Sequence, residues 1–168
     1  MTTAQGNQRE AALYAYLAGI IDGEGCLRIA KAKPTQRKRN AWYSPNITVG
    51  MACREICDLL LETFGGGVYT ERVVQGRKTI HRWRVTSKRG VATVLKKVLP
   101  YLIEKREQAE VLLDYCKRVK APENCKSGVS PEELQFREDC YLKMAELKKT
   151  GAPATTERAD TREGEATV

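Results

Sequence analysis

Apolar residues crowd the stretch from 10 to 22, where Ala11, Ala12, Leu13, Ala15, Leu17, Ala18, Ile20 and Ile21 fall around most of a helix. A helix apolar on nearly every face is buried or held in an interface. Two strands are predicted next, over 26–33 and 41–50, joined by a basic loop from Pro34 to Asn40 that carries Arg37, Lys38 and Arg39. In the second strand Tyr43, Ile47 and Val49 share one face, and Ser44, Asn46 and Thr48 the other. Such alternation marks an antiparallel strand with one face in the core and one in water. Residues 53–64 read as a helix with Ile56, Leu59, Leu60 and Phe64 inward, closed by three glycines, Gly65 to Gly67. A hairpin is predicted over 67–73 and 79–86 around Gln75-Gly76-Arg77. Its second strand sets Trp83 and Val85 against Arg82, Arg84 and Thr86. Helices over 88–98 and 104–119 are interrupted at Pro100, because proline cannot continue a helix interior. An amphipathic helix over 131–149 starts at Pro131 with Ser130 as its cap.

The order helix–strand–strand–helix–strand–strand–helix predicts an α+β fold, with a four-stranded antiparallel sheet and helices on one face. Further helices follow at the C-terminal end. The domain is expected over 10–149, with a flexible stretch over 1–9 and a disordered tail over 150–168. By alternation the open face of the sheet carries Arg28, Asn46, Thr48, Thr70, Arg72, Arg82 and Arg84. Ser44 joins them on the wet face of its strand. Alternation breaks after Ile29, so Lys31 and Lys33 are assigned to this basic surface without a fixed register.

Charge sharpens the picture. The chain of 168 residues has a net charge of +8, and the tail from Thr150 contributes −2, which leaves +10 on residues 1–149. A small domain that basic expects a polyanion, most commonly nucleic acid. A polar sheet face bearing arginines can lie in a DNA major groove. There is no apolar run of about 20 residues to span a membrane, no apolar secretory segment near Met1, and no basic helix with an aromatic face for a lipid surface. The six cysteines, Cys26, Cys53, Cys57, Cys116, Cys125 and Cys140, include no CxxC pair, and the chain has a single histidine, His81. That pattern argues against a zinc site and for half-buried thiols in a reducing, intracellular compartment. His81 shares a face with Trp83 and is expected to be structural.

The stretch Leu17-Ala18-Gly19-Ile20-Ile21-Asp22-Gly23-Glu24-Gly25 carries the chemistry. Ala18 and Gly19 are small enough to let a second backbone approach. Gly23 and Gly25 allow a sharp exit from the helix, with positive φ available to each. Glu24 is held at the helix C-terminus, where the dipole already carries partial negative charge. A divalent cation would resolve that conflict, since Mg²⁺ prefers carboxylate and carbonyl oxygens.

These nine residues resemble the signature of the LAGLIDADG homing endonucleases, reading LAGIIDGEG here. Phe64 to Tyr69, Trp83-Arg84-Val85 and Pro100 to Ala109 resemble later landmarks of that family in the same order. The resemblance covers roughly residues 13–119 and implies the family's αββαββα fold and cleavage of both DNA strands with divalent metals. It implies that Glu24 is the metal ligand, that the Gly23 carbonyl helps hold the metal, and that Asp22 is supporting. Lys105 matches the lysine near the scissile phosphate. One motif per chain implies a homodimer, packed through Leu17, Ala18, Gly19 and Ile20, on a long, nearly palindromic site. Double-stranded DNA is thus the expected partner, Mg²⁺ or another divalent cation the expected cofactor, with no small-molecule substrate and no membrane.

One departure stands out. The family often places a solvent-orienting polar residue just after the second strand, where this chain has Gly50-Met51-Ala52. Met51 donates no hydrogen bond, and Arg54 is the expected substitute. Two other functions fit the same scaffold: a maturase that assists splicing of its host intron, and a DNA-binding regulator that has lost catalysis. Retention of Glu24 and Lys105 favours cleavage over both.

Overall fold

A computed structural model of the protein describes residues 2–34, 41–71, 75–76, 78–119 and 129–150. Arg37, Lys38, Arg39, Arg72, Cys125 and the tail beyond Thr150 lie outside the described residues. The strands are β1 (Gly25–Ala32), β2 (Trp42–Met51), β3 (Gly67–Thr70) and β4 (His81–Val85). They form one antiparallel sheet in the order β1-β2-β4-β3. The helices are α1 (Thr2–Glu24), α2 (Arg54–Phe64), α3 (Lys88–Val98), α4 (Arg106–Arg118) and α5 (Pro131–Thr150). A 3₁₀ turn, Leu99–Tyr101, separates α3 from α4 at the Pro100 break. No described helix is long and apolar enough to cross a membrane.

Alternation builds the core. Leu27 and Ile29 of β1, Tyr43, Ile47 and Val49 of β2, and Trp83 and Val85 of β4 are buried on the helix-bearing face. They meet Leu17, Ala18 and Ile21 of α1, Leu60 of α2, Val91, Val94 and Leu95 of α3, and Leu112 of α4 in one cluster. Trp83 is wholly buried, and its indole N–H donates to the Gly65 carbonyl at 2.8 Å. The α2 exit needs glycine: Gly65 and Gly66 have φ of 73° and 98°, and a Cβ on Gly66 would lie 2.6 Å from the Arg84 carbonyl oxygen. Ser87 caps α3 by accepting from Gly90 N–H at 3.1 Å, and Ser130 caps α5, as expected, by accepting from Glu133 N–H at 3.2 Å.

Four expectations are corrected. First, α1 begins at Thr2 and not near residue 10, where the apolar pattern starts. Second, β1 does not break alternation after Ile29: Lys31 pairs with Tyr43 and lies on the helix side of the sheet. Its ammonium bonds both oxygens of Glu138 on α5 at 2.7 Å, and sits 5.6 and 5.4 Å from the ring centres of Tyr43 and Tyr141. Third, Thr70 pairs with His81 and Val68 with Trp83, so Thr70 also faces the helix side and its hydroxyl meets His81 Nδ1 at 3.0 Å. Fourth, Cys53 is exposed at the start of α2 while Cys57, one turn on, is buried. The described cysteines are free thiols, and burial raises the Cys116 thiol to about 12.

Candidate nucleic-acid interface and catalytic centre

The opposite face of the sheet is organised in cross-strand rows. Arg28 of β1 lies opposite Asn46, Thr48 opposite Arg84 and then Gly67, and Gly50 opposite Arg82 and then Tyr69. Arg28 and Arg84 are exposed, and Ser44 is half-buried on the same face. Asn46 and Thr48, expected in water, are 0 % and 7 % exposed, shielded among their row neighbours. Both amide atoms of Asn46 lack a hydrogen-bond partner among the described residues. Lys33 is exposed just beyond the end of β1. The aromatic Tyr69, and not its neighbour Thr70 as expected, stands on this face and is 46 % exposed.

The signature helix runs straight into β1, for α1 ends at Glu24 and the strand starts at Gly25. Neither Gly23 nor Gly25 takes positive φ, so the expected conformational role is absent. What Gly25 supplies is the lack of a side chain: a Cβ there would lie 2.4 Å from the Ile21 carbonyl oxygen. Gly23 has open space around it. Glu24 is exposed at this helix end.

Asp22 ties the centre together. Its carboxylate accepts from Ile103 N–H at 2.7 Å and from Lys105 N–H at 3.0 Å. The Lys105 ammonium donates to the Asp22 backbone carbonyl. Sequence reasoning gave Asp22 a supporting part without naming its partners. The structure provides them: it anchors the segment before α4 and brings Lys105 beside the end of α1. Met51 pairs with His81, and Arg54 is engaged by Asp58 at 3.3 Å on its own helix.

Among the described residues no trio of His, Cys, Asp or Glu side chains is gathered for a metal ion. One exposed carboxylate, Glu24, with neighbouring carbonyls fits Mg²⁺. That ion keeps several waters and takes one or two carboxylates plus substrate phosphates.

Of the residues expected at a two-fold contact, Leu17 and Ala18 are wholly buried in this chain's own core. Gly19 is exposed with nothing within 4 Å of a Cβ position, and Ile20 is half-buried. The outward face of α1 also carries Tyr16, 53 % exposed. Gly19, expected at that contact, shares one helix stripe with Ala12, Tyr16 and Gly23, which were not, at a spacing of four, three and four.

Solved structures share this architecture. The homing endonuclease I-CvuI, in complex with the I-CreI target DNA in the presence of Mg, superposes with a TM-score of 0.67 at 24 % identity, over 88 % of each chain. The LAGLIDADG homing endonuclease I-GzeII, in complex with its DNA target, superposes at 0.63 and 15 % identity, over 82 % of this chain and 48 % of that one. The homing endonuclease I-TnaI superposes at 0.54 and 17 % identity, over 82 % and 94 %. No protein-family model matches the chain, and no curated protein matches it. The fold is that of the LAGLIDADG homing endonucleases.

Proposed function

We propose that the protein is a site-specific, metal-dependent double-strand DNA endonuclease that acts as a homodimer on a long, nearly palindromic site. The observation that carries this reading is the junction of two segments far apart in sequence. Asp22 holds the backbone of Ile103 and Lys105, and the Lys105 ammonium donates to the Asp22 carbonyl, two residues before the signature carboxylate Glu24. The structural likeness to endonucleases solved with DNA and Mg supports it, as does the charge of +8. A bound divalent ion would lower the pKa of a water and neutralise charge on the phosphate. Glu24 and the Gly23 carbonyl would hold it. Lys105 then stabilises the negative charge that grows on the phosphate oxygens as the water oxygen bonds phosphorus and the bond to the leaving sugar oxygen breaks. Arg28 and Arg84, with Ser44 and Thr48, face the groove, and Lys33 reaches the phosphate backbone.

Glu24→Gln keeps size and removes charge. Cleavage of a cognate duplex in Mg²⁺ should fall by about a hundredfold or more, with binding in Ca²⁺ preserved. Lys105→Ala should lower the rate with affinity and salt slope unchanged, whereas a groove lysine would lower the slope by about one. Wild-type cleavage by the Glu24→Gln protein would remove the carboxylate from the reaction. A second reading, an RNA maturase, draws on Tyr69 and Trp42, 46 % and 49 % exposed, which suit stacking on unpaired bases. It predicts intron splicing unaffected by Glu24→Gln and tighter binding to the host intron RNA than to any duplex.

A further inference from the structure

Arg82 does not stand like its neighbour Arg84. Arg84 is exposed on the open face with no ion pair among those described. Arg82 is bound: Nε donates to Glu71 Oε1 at 2.7 Å, and Nη2 donates to the same oxygen. Its guanidinium lies over Gly50 of β2, so close that a Cβ on Gly50 would be 3.1 Å from Nη1 and 3.3 Å from Cζ. The arginine therefore occupies the place a side chain at position 50 would fill. Nη1, nearest Gly50, makes no bond to Glu71.

The row continues towards the signature helix. Gly25 pairs with Val49, so Glu24 comes next to the Gly50 end of the row that runs through Arg82 to Tyr69. Adjacent strands are about 4.8 Å apart, so a guanidinium that lies over Gly50 of β2 stands about one strand spacing from the start of β1, where α1 ends. The pair is also partly wet, with side chains 32 % and 41 % exposed. A pair that exposed adds little to stability. Its value lies in fixing direction, because an arginine held on two nitrogens by one carboxylate has lost most of its freedom.

Resting on the endonuclease reading, we infer that Arg82 contacts the phosphate at the catalytic centre, and that Glu71 is the residue that positions it. Arg82 thereby supplies, from β4, the polar group that Met51 does not. It is not a base reader, and Arg84 is. Gly50, with no side chain, leaves the guanidinium in that place.

The test uses the full-length protein and a duplex selected by the wild type from a random pool. Arg82→Ala, Arg82→Lys, Glu71→Gln, Gly50→Ala and Arg84→Ala are compared for single-turnover cleavage at saturating protein, for equilibrium binding in Ca²⁺, and for base preference by reselection. Arg82→Ala should lower the rate by about a hundredfold, with Arg82→Lys recovering part of it. Glu71→Gln and Gly50→Ala should each lower it by about tenfold, since each misaims an intact arginine. In all four the base preference should stay that of the wild type, while Arg84→Ala relaxes it at two symmetric positions. Far-ultraviolet circular dichroism and melting confirm that each variant is folded. A wild-type rate together with relaxed base preference in Arg82→Ala would make Arg82 a base reader and overturn the assignment alone. Failure of the wild type to cleave its own selected duplex in Mg²⁺ would overturn the endonuclease reading, and this assignment with it.

Discussion

At the scale of single residues, the signature stretch separates two glycines that look alike in sequence. A Cβ on Gly25 meets backbone, the Ile21 carbonyl oxygen at 2.4 Å and its Cα at 2.9 Å, and backbone cannot step aside like a flexible side chain. Gly25→Ala should cost about 1–3 kcal/mol, the usual range for forced overpacking. Gly23 lies in the last turn of α1 with open space around it. Gly23→Ala should be neutral or stabilise by up to about 1 kcal/mol, since alanine is the better helix former. Urea denaturation of the two variants measures this, and equal effects would contradict the steric account. Asp22 offers a sharper case. Asp22→Asn retains one acceptor oxygen but turns an amide donor towards Ile103 N–H or Lys105 N–H, both now donors to the carboxylate. A loss of about 1–3 kcal/mol is expected where a donor faces a donor. The role of Asp22 was not legible in the sequence, because its partners are 81 and 83 residues away and carry the contact on their backbones, where side-chain identity leaves no trace.

At the scale of elements, what could be read was whatever repeats. The strands, helices and caps at Ser130 and Pro131 came from alternation, helical spacing and terminators. The errors fell where no repeat was available. Residues 2–9 are polar and show no apolar stripe, although they extend α1. β3 has only four residues and opens on Gly67, so its phase was taken one residue out and Thr70 was exchanged with Tyr69. Lys31 looked like one more base of a basic strand, and only α5, 107 residues on, gives it a partner. That partner gives α5 a pH response. Lys31 holds the Glu138 carboxyl below the usual range, with help from the Tyr43 hydroxyl. Glu138 in turn holds the Lys31 ammonium above its usual value. A lowered carboxyl pKa stabilises the fold above the unfolded value of 4.5 and is lost as pH falls through the folded value. A raised lysine pKa stabilises below the unfolded value of 10.5 and is lost as pH rises through the folded one. The clamp thus contributes in full from about pH 5 to about pH 10. Lys31→Met should lower the melting temperature in that window and bring the two proteins together at the acid end. A constant difference down to pH 2 would show that Lys31 acts through packing alone.

At the scale of the whole molecule, the endonuclease reading requires a second copy, and α1 says where it would sit. Leu17 and Ala18 belong to the chain's own core, so a partner would meet the stripe through Tyr16, Gly19 and Gly23 instead. Ile103, 87 % exposed, stands at the same end of α1, because Asp22 holds its backbone there. An apolar residue that exposed beside a helix of small residues is a natural rim for a two-fold contact, in which the same patch serves both chains. Gly19→Leu tests this cleanly, because one chain leaves the site open: nothing lies within 4 Å of the added Cβ. Within the monomer the change should be harmless or stabilise by up to about 1 kcal/mol, as leucine replaces glycine inside a helix. Between monomers it should hold the two backbones apart and abolish close packing. Sedimentation at micromolar concentration should therefore give a dimer for the wild type and a monomer for Gly19→Leu, with no fall in the intrinsic melting temperature of the monomer. Selection from random duplexes should return a long site with two matching halves for the wild type and at most one half for the variant. A dimeric Gly19→Leu protein would move the contact off this face of α1. A wild type that stays monomeric with its DNA bound, on a short asymmetric site, would end the two-fold reading altogether.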